Sequence, residues 1–224
     1  MKTVLITGCT PGGIGHALAK EYHTQGLRVF ATARRQEVLA DLASQGVETL
    51  QLDVCDDESV KTAREAVAAI TGGTLDILVN NAGQGATGVP SIDLEMDDIK
   101  RMYEVNLFGA MRMVKEFAPL LIAGGDGRIV NIGSVVGIVP LPFNSSVYNS
   151  SKAALHAYGN TLRLELAPFN VQVTTVITGG VQTKIWESAA CRPLKPTSIY
   201  TPIADMIAKL YTSEYVQNMM TAET

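Results

Sequence analysis

Val4-Leu5-Ile6-Thr7-Gly8-Cys9-Thr10-Pro11-Gly12-Gly13-Ile14-Gly15 is the stretch whose reading decides the fold. Val4, Leu5 and Ile6 are all apolar, the pattern of a short strand buried on both faces of a parallel sheet. The glycines make a tight turn, and a helix is predicted over 14–25, closed by Gly26. A strand that feeds a helix through such a turn lets the backbone approach a pyrophosphate. The helix N-terminus then offers it free N–H groups and positive potential. The stretch therefore predicts an α/β fold that binds a dinucleotide.

The next strand, over 27–32, ends on the residues that choose the dinucleotide. An acid there bonds the ribose of NAD, whereas an arginine accommodates the 2′-phosphate of NADP. Here Ala33-Arg34-Arg35 follows, with no acid before Glu37. That favours NADP, with Arg34 as the first phosphate ligand and Arg35 beside it; two solvated arginines at a helix start are the alternative. Further strands are predicted over 47–52, 75–79, 128–132 and 171–177. Helices are predicted over 36–44, 60–70 with Asp56 as N-cap, 97–121, and 148–167 stopped at Pro168. Helix 97–121 has an apolar stripe through Val105, Phe108, Met111, Val114 and Phe117. Alternating strands and helices give a doubly wound parallel sheet, the Rossmann arrangement, in a single domain over 1–224.

Composition narrows the function classes. A chain of 224 residues, 46% hydrophobic, supports one sizeable core. A net charge of −4 and a pI near 5.4 give no general electrostatic reason to bind nucleic acid or an anionic membrane. No apolar run approaches the ~20 residues of a spanning helix, and no signal peptide is visible. Cys9, Cys55 and Cys191 are few, odd in number and widely spaced, which suits a reducing compartment and argues against a disulfide framework or a zinc site. Cys9 lies in the glycine-rich turn, where it is either a reactive thiol or a packing residue. His16, His23 and His156 lack metal-ligand spacing and read as helix-surface or packing residues. No metal is expected.

The chemistry points to Tyr148-Asn149-Ser150-Ser151-Lys152. On a helix, positions four apart share a face, so Tyr148 and Lys152 point the same way. A phenol with a pKa near ~10 is a poor acid–base group at neutral pH, and a neighbouring ammonium is expected to lower that pKa. The pair could exchange a proton with an alcohol or ketone oxygen. By itself the spacing also fits a half-buried tyrosine beside a solvated lysine.

Asn80-Asn81-Ala82-Gly83, Asn106 within Glu104-Val105-Asn106-Leu107-Phe108-Gly109, and Gly133-Ser134, fourteen residues before Tyr148, complete an ordered set. With the glycine-rich turn and Tyr148/Lys152, this set resembles the short-chain dehydrogenase/reductase family over nearly the whole chain. The resemblance implies an NADP-dependent oxidoreductase acting on CH–OH groups, with Ser134, Tyr148, Lys152 and Asn106 as its catalytic residues. Tyr148 would protonate the developing alkoxide and Ser134 would orient the carbonyl oxygen. Lys152 would lower the tyrosine pKa and hold the nicotinamide ribose, while Asn106 would extend a proton relay through water.

For the cofactor the resemblance implies Gly8, Gly13, Ile14 and Gly15 at the pyrophosphate and Arg34 and Arg35 at the 2′-phosphate. Asp53 and Val54 fall at the adenine, and Asn81, Ala82 and Gly83 beneath the cofactor. Tyr148, Lys152, Val181 and Thr183 lie toward the nicotinamide. The family turn reads T-G-x-x-x-G-x-G. Here the last glycine comes one residue late, which leaves Gly12 ambiguous. Thr178 stands where relatives carry proline.

Residues 178–200 are the expected substrate lid. Family members carry a seventh strand after it. Here one more helix, over 202–219, precedes Thr224, so the sheet is expected to lack its last strand, with no strand after Thr183. The resemblance also implies a small-molecule ketone or alcohol substrate and a homo-oligomer, dimer or tetramer. It implies a cytoplasmic protein, with peripheral attachment to endoplasmic reticulum or lipid droplets as the alternative. Lys152-Ala153-Ala154-Leu155-His156, Ile177-Thr178-Gly179-Gly180-Val181, Arg192-Pro193-Leu194 and Thr197-Ser198-Ile199-Tyr200 resemble the fungal reductases of acylated dihydroxyacetone phosphate. Fungal secondary-metabolite ketone reductases and a non-catalytic NADP-binding regulator are the other readings.

Overall fold

The structure, a computed structural model, describes residues 1–86, 88–141, 145–183, 194–209 and 220–222. Six parallel strands form the main sheet: β1 Thr3–Ile6, β2 Arg28–Ala33, β3 Glu48–Gln51, β4 Ile77–Asn80, β5 Gly127–Ile132 and β6 Val171–Val176, in the order β3-β2-β1-β4-β5-β6. The strand order reverses between β1 and β4. In open α/β sheets the crevice beyond the strand C-termini at such a reversal is where ligands bind.

Pleating sends alternate side chains to opposite faces, and each face builds a core. Leu5, Phe30, Leu78, Ile129 and Val173 pack with Val60 and Val67 of α3 (Asp57–Thr71), Met113 and Phe117 of α5 (Gly109–Ala123), and Leu162 of α6 (Ser146–Leu166). On the opposite face Val4, Ile6, Val29, Ala31 and Val79 meet Ala19 of α1 (Ile14–Thr24), and Leu39 and Leu42 around α2 (Ala40–Ser44). Both faces are covered, which is why β1 reads as an unbroken apolar run. Asp56 caps α3 as expected, its carboxylate accepting from the Glu58 N–H.

Two expectations need correction. Helix 97–121 is not one α-helix. It comprises α4 (Met96–Tyr103), a π-helical turn at Glu104–Phe108 and α5. The wider turn shifts the register, so the buried stripe runs through Leu107, Ala110, Met113, Val114, Phe117 and Leu121, and Phe108 is left exposed. A strand also follows Thr183: β8 (Met220–Thr221) pairs in parallel with β7 (Val181–Gln182) in a separate two-stranded sheet. Among the described residues the main sheet ends at β6. Of helix 202–219, a 3₁₀ turn at Thr201–Ile203 and α7 (Ala204–Lys209) are described, and 210–219 lie outside the described residues. Cys191, Arg192, Pro193 and the middle of the lid, 184–193, also lie outside them.

Candidate active site

The site starts with the backbone of the β1–α1 turn. Gly8 has φ +73° and Gly12 φ +79°, left-handed conformations that favour glycine. Gly12, ambiguous in sequence, is thus the residue that lets the longer turn close. Gly13 is the N-cap of α1 without a side-chain cap, and Ile14 opens the helix, so its first N–H groups are left for a ligand. A Cβ on Gly15 would lie 2.3 Å from Asn81 Nδ2 and 2.8 Å from the Gly8 carbonyl, and one on Gly8 would lie 2.9 Å from Ala82 Cα. The turn and the segment after β4 therefore touch with no room for a side chain.

Hydrogen bonds lock that contact. Asn81 Nδ2 donates to the carbonyls of Thr7 and Gly8 at 2.8 and 3.0 Å. The Thr7 hydroxyl accepts from the N–H groups of Asn81 and Ala82 at 3.0 and 2.9 Å. Thr7 was given no separate role in the sequence reading; a hydroxyl closing a buried apolar strand was the available signal. Cys9 is fully buried and donates to the Ile6 carbonyl, and burial pushes its thiol up to about 12. The reactive-thiol alternative is removed.

Arg34 and Arg35 are exposed at the end of β2, where Arg35 and Glu37 approach to 3.9 Å. Asp53 follows β3 and accepts from the Cys55 N–H at 3.0 Å, while Val54 is buried against Gly109. Val181 and Thr183 are half-buried at β7, beyond β6.

The reacting groups converge at the C-terminal ends of β4 and β5. Ser134 follows β5 and is buried; its hydroxyl is hydrogen-bonded to Tyr148 from the first turns of α6. One turn on, Lys152 is 5% exposed, donates to the Ile132 carbonyl at 2.8 Å, and lies 6.0 Å from the Tyr148 ring centroid. Gly83 abuts both other parts, because a Cβ there would lie 3.4 Å from Asn106 Oδ1 and 3.7 Å from Lys152 Nζ. Asn106 is the central residue of the π turn. Its Oδ1 accepts from the Gln84 N–H at 2.7 Å, and its Nδ2 donates to the Gln84 carbonyl and the Ser151 hydroxyl, each at 3.0 Å. Ser151 and Gln84 were not singled out from sequence. Ser151 faces inward beside Lys152 and is fully buried.

Charge behaves differently from the sequence expectation. Burial raises the Tyr148 pKa, and the hydrogen bond from Ser134 offsets this only in part. Lys152 bears its own desolvation cost, which brings it down to about 8. The expected lowering of the tyrosine by the lysine is not found; burial, which disfavours both charged forms, sets the direction of each shift. The phenol stays protonated through neutral pH and can act as an acid. Beside the first turn of α6 lies a cavity of about 550 Å³, lined by Pro90, Val136, Pro140, Leu141, Ala153 and Tyr200 among others; the size suits a small ligand. Among the described residues there is no cluster fit to hold a metal and no helix long and apolar enough to cross a membrane.

The model of the short chain dehydrogenase family matches residues 2–192. The NADPH-dependent 1-acyldihydroxyacetone phosphate reductase of Schizosaccharomyces pombe is 52% identical over 184 residues, covering 82% of this chain and 61% of that protein. The chain thus spans about three fifths of that relative's length. A short-chain dehydrogenase of Hypocrea virens is 48% identical over 203 residues, covering 91% of this chain and 70% of its own. Among solved structures, a metagenomic short-chain oxidoreductase in complex with NADP superposes with a TM-score of 0.72 at 28% identity, covering 95% of this chain and 91% of the other. The family match over most of the chain, on a fold that gathers the Ser134, Tyr148 and Lys152 side chains opposite a glycine-lined turn, shows that this chain belongs to the short-chain dehydrogenase family.

Proposed function

We propose that the chain is an NADPH-dependent reductase that converts a ketone to a secondary alcohol. The observation that carries this reading is the junction of Ser134, Tyr148 and Lys152 beside Gly83 and Asn106. Three features fit the cofactor: the cradle at Gly8 and Gly15 that a Cβ would fill, the uncapped start of α1, and Arg34 with no acid at the end of β2. Gly13, Ile14, Asn81 and Ala82 would hold its pyrophosphate side and Arg34 its 2′-phosphate, with Arg35, Asp53 and Val54 along the adenosine. Val181 and Thr183 would lie toward the nicotinamide. NADPH, when bound, supplies the hydride.

The protein's own residues manage the oxygen. Ser134 orients the carbonyl by hydrogen bonding. Tyr148, kept protonated by burial, gives its proton as the alkoxide charge develops. Lys152 is poised near neutrality and can resupply that proton. Asn106 holds the Gln84 backbone and the Ser151 hydroxyl in place around them.

For the substrate, the largely apolar cavity and the similarity to the Schizosaccharomyces pombe reductase favour an acylated dihydroxyacetone phosphate. A secondary-metabolite ketone is the second reading, the Hypocrea virens relative being a short-chain dehydrogenase whose name specifies no substrate. We place the protein in the cytoplasm as a homo-oligomer acting on a small molecule. The test is NADPH oxidation by the purified chain with an acyl-dihydroxyacetone phosphate and a panel of aromatic ketones. Turnover of the phosphate supports the first reading, and turnover of aromatic ketones alone supports the second. NADPH binding without any turnover would make the chain a nucleotide-binding regulator.

A further inference from the structure

His156 lies two turns beyond Tyr148 on α6, and the mechanism above leaves it without a role. Its ring is inserted between two glycines. A Cβ on Gly133 would lie 2.5 Å from its Nε2, and a Cβ on Gly137 2.5 Å from its Cε1. Only residues without side chains on both sides of Ser134 leave space for the imidazole. The backbone around Ser134 explains what the ring does there. The Gly133 N–H donates to the Val176 carbonyl and the Val135 N–H to the Thr178 carbonyl, each at 2.8 Å, tying both neighbours of Ser134 to β6 and the residues after it. The Ser134 N–H, between them, donates instead to His156 Nε2 at 3.2 Å.

We propose that His156 is a positioning residue for Ser134: by accepting the Ser134 backbone N–H it fixes where the Ser134 hydroxyl meets Tyr148 and the substrate oxygen. The inference rests on the reductase reading for its effect on rate, but not for the hydrogen bond itself. Accepting at Nε2 requires the neutral ring with its proton on Nδ1. The surroundings keep it neutral, because burial and then the charge of Lys152 push the His156 pKa down. The groups at the ring from the end of β5 and the turn after it are Gly133, Ser134 and Gly137, which bring no charge; Lys152 is the charged group acting on it. Protonation would turn an N–H toward the Ser134 N–H and break the bond.

The experiment compares His156→Phe, which fills the glycine slot without an acceptor, with His156→Gln, which can present a carbonyl oxygen. Two quantities are read: amide hydrogen exchange at Ser134, and kcat and NADPH affinity with a ketone turned over by the wild type. The Phe variant should exchange Ser134 at least ~10-fold faster and lose about tenfold in kcat, as expected for a misplaced reacting group, at unchanged NADPH affinity. The Gln variant should recover most of both. It should also lack the fall in kcat expected of the wild type on the acid side of the histidine range. Unchanged exchange and kcat in His156→Phe, or a Gln variant no better than Phe, overturns the proposal. A wild type that turns over no ketone refutes the reductase reading alone, because the exchange data still decide whether His156 holds Ser134.

Discussion

Two strand-to-helix junctions lie at the C-terminal edge of the sheet on either side of β4, and they are built from opposite materials. The junction after β1 is made of backbone: left-handed Gly8 and Gly12, the packed Gly15, a thiol that burial pushes up to about 12, and a helix start with bare N–H groups. The junction after β5 is made of side chains: Ser134, Tyr148 and Lys152, with His156 behind them and Asn106 brought in from the π turn. On the proposed reading the first recognises shape and fixed partial charge, so its nucleotide binding should be sensitive to an added atom and little changed by pH near neutrality. On the proposed reading the second moves a proton, so it should be sensitive to pH and to the loss of a single polar atom while keeping its shape.

The most severe way to break the comparison is at the first junction. Gly15→Val would drive its Cβ into Asn81 and the Gly8 carbonyl, and overpacking of this kind costs roughly 1–3 kcal/mol or more. NADPH binding should be lost below detection by fluorescence titration, with a lowered Tm. Retained binding would mean that the turn is plastic and the contrast false. Tyr148→Phe attacks the second junction without changing its shape. It should keep NADPH binding and lose at least ~100-fold in turnover, the range for removing a general acid. Near-normal turnover would take Tyr148 out of the mechanism.

The pH dependence of stability sharpens the contrast further. Lys152 falls to about 8 in the fold, against an unfolded value near ~10.4. Below about 8 it is charged in both states and its burial opposes folding. Between about 8 and the unfolded value the unfolded chain binds the extra proton at this lysine, so the Lys152 contribution to stability should rise with pH, by on the order of 3 kcal/mol across the window, against the opposite trend from the buried Cys9 thiol. Urea unfolding at a series of pH values measures this, and Lys152→Met should flatten the rise. A wild-type slope that survives in the Met variant would assign the effect elsewhere. The smallest expected change is at the rim of the first junction. Arg34→Asp should cut the preference for NADPH over NADH by about tenfold, since one charge-assisted bond is worth roughly 1.5–3 kcal/mol. Equal losses for both cofactors in steady-state kinetics would show that Arg34 reads no phosphate.

The junctions also differ in how much of them can be read from sequence. Glycine is required where a backbone turns left-handed or packs without space, so the first junction is written in residue types at fixed spacing. Tyr148 and Lys152 were legible for a similar reason, since four residues on a helix are one turn. The stripe over 97–121 was misread because a π turn has no pattern of its own. Its extra residue per turn moved Phe108 out to solvent and carried Asn106 inward.

By itself, then, the sequence determined the alternation of strands and helices, the doubly wound parallel sheet, the glycine turn after β1 and the shared helix face of Tyr148 and Lys152. Each of these depends on residues close in the chain and on the geometry of a single element. Only the tertiary structure decided that burial moves the Tyr148 pKa upward. The same holds for Thr7 tying the segment after β4, for Ser151 and Gln84 holding Asn106, and for the His156 ring filling a slot between two glycines beside Ser134. Desolvation and hydrogen bonding across the sheet depend on what residues far apart in sequence leave for one another, and no local pattern records that.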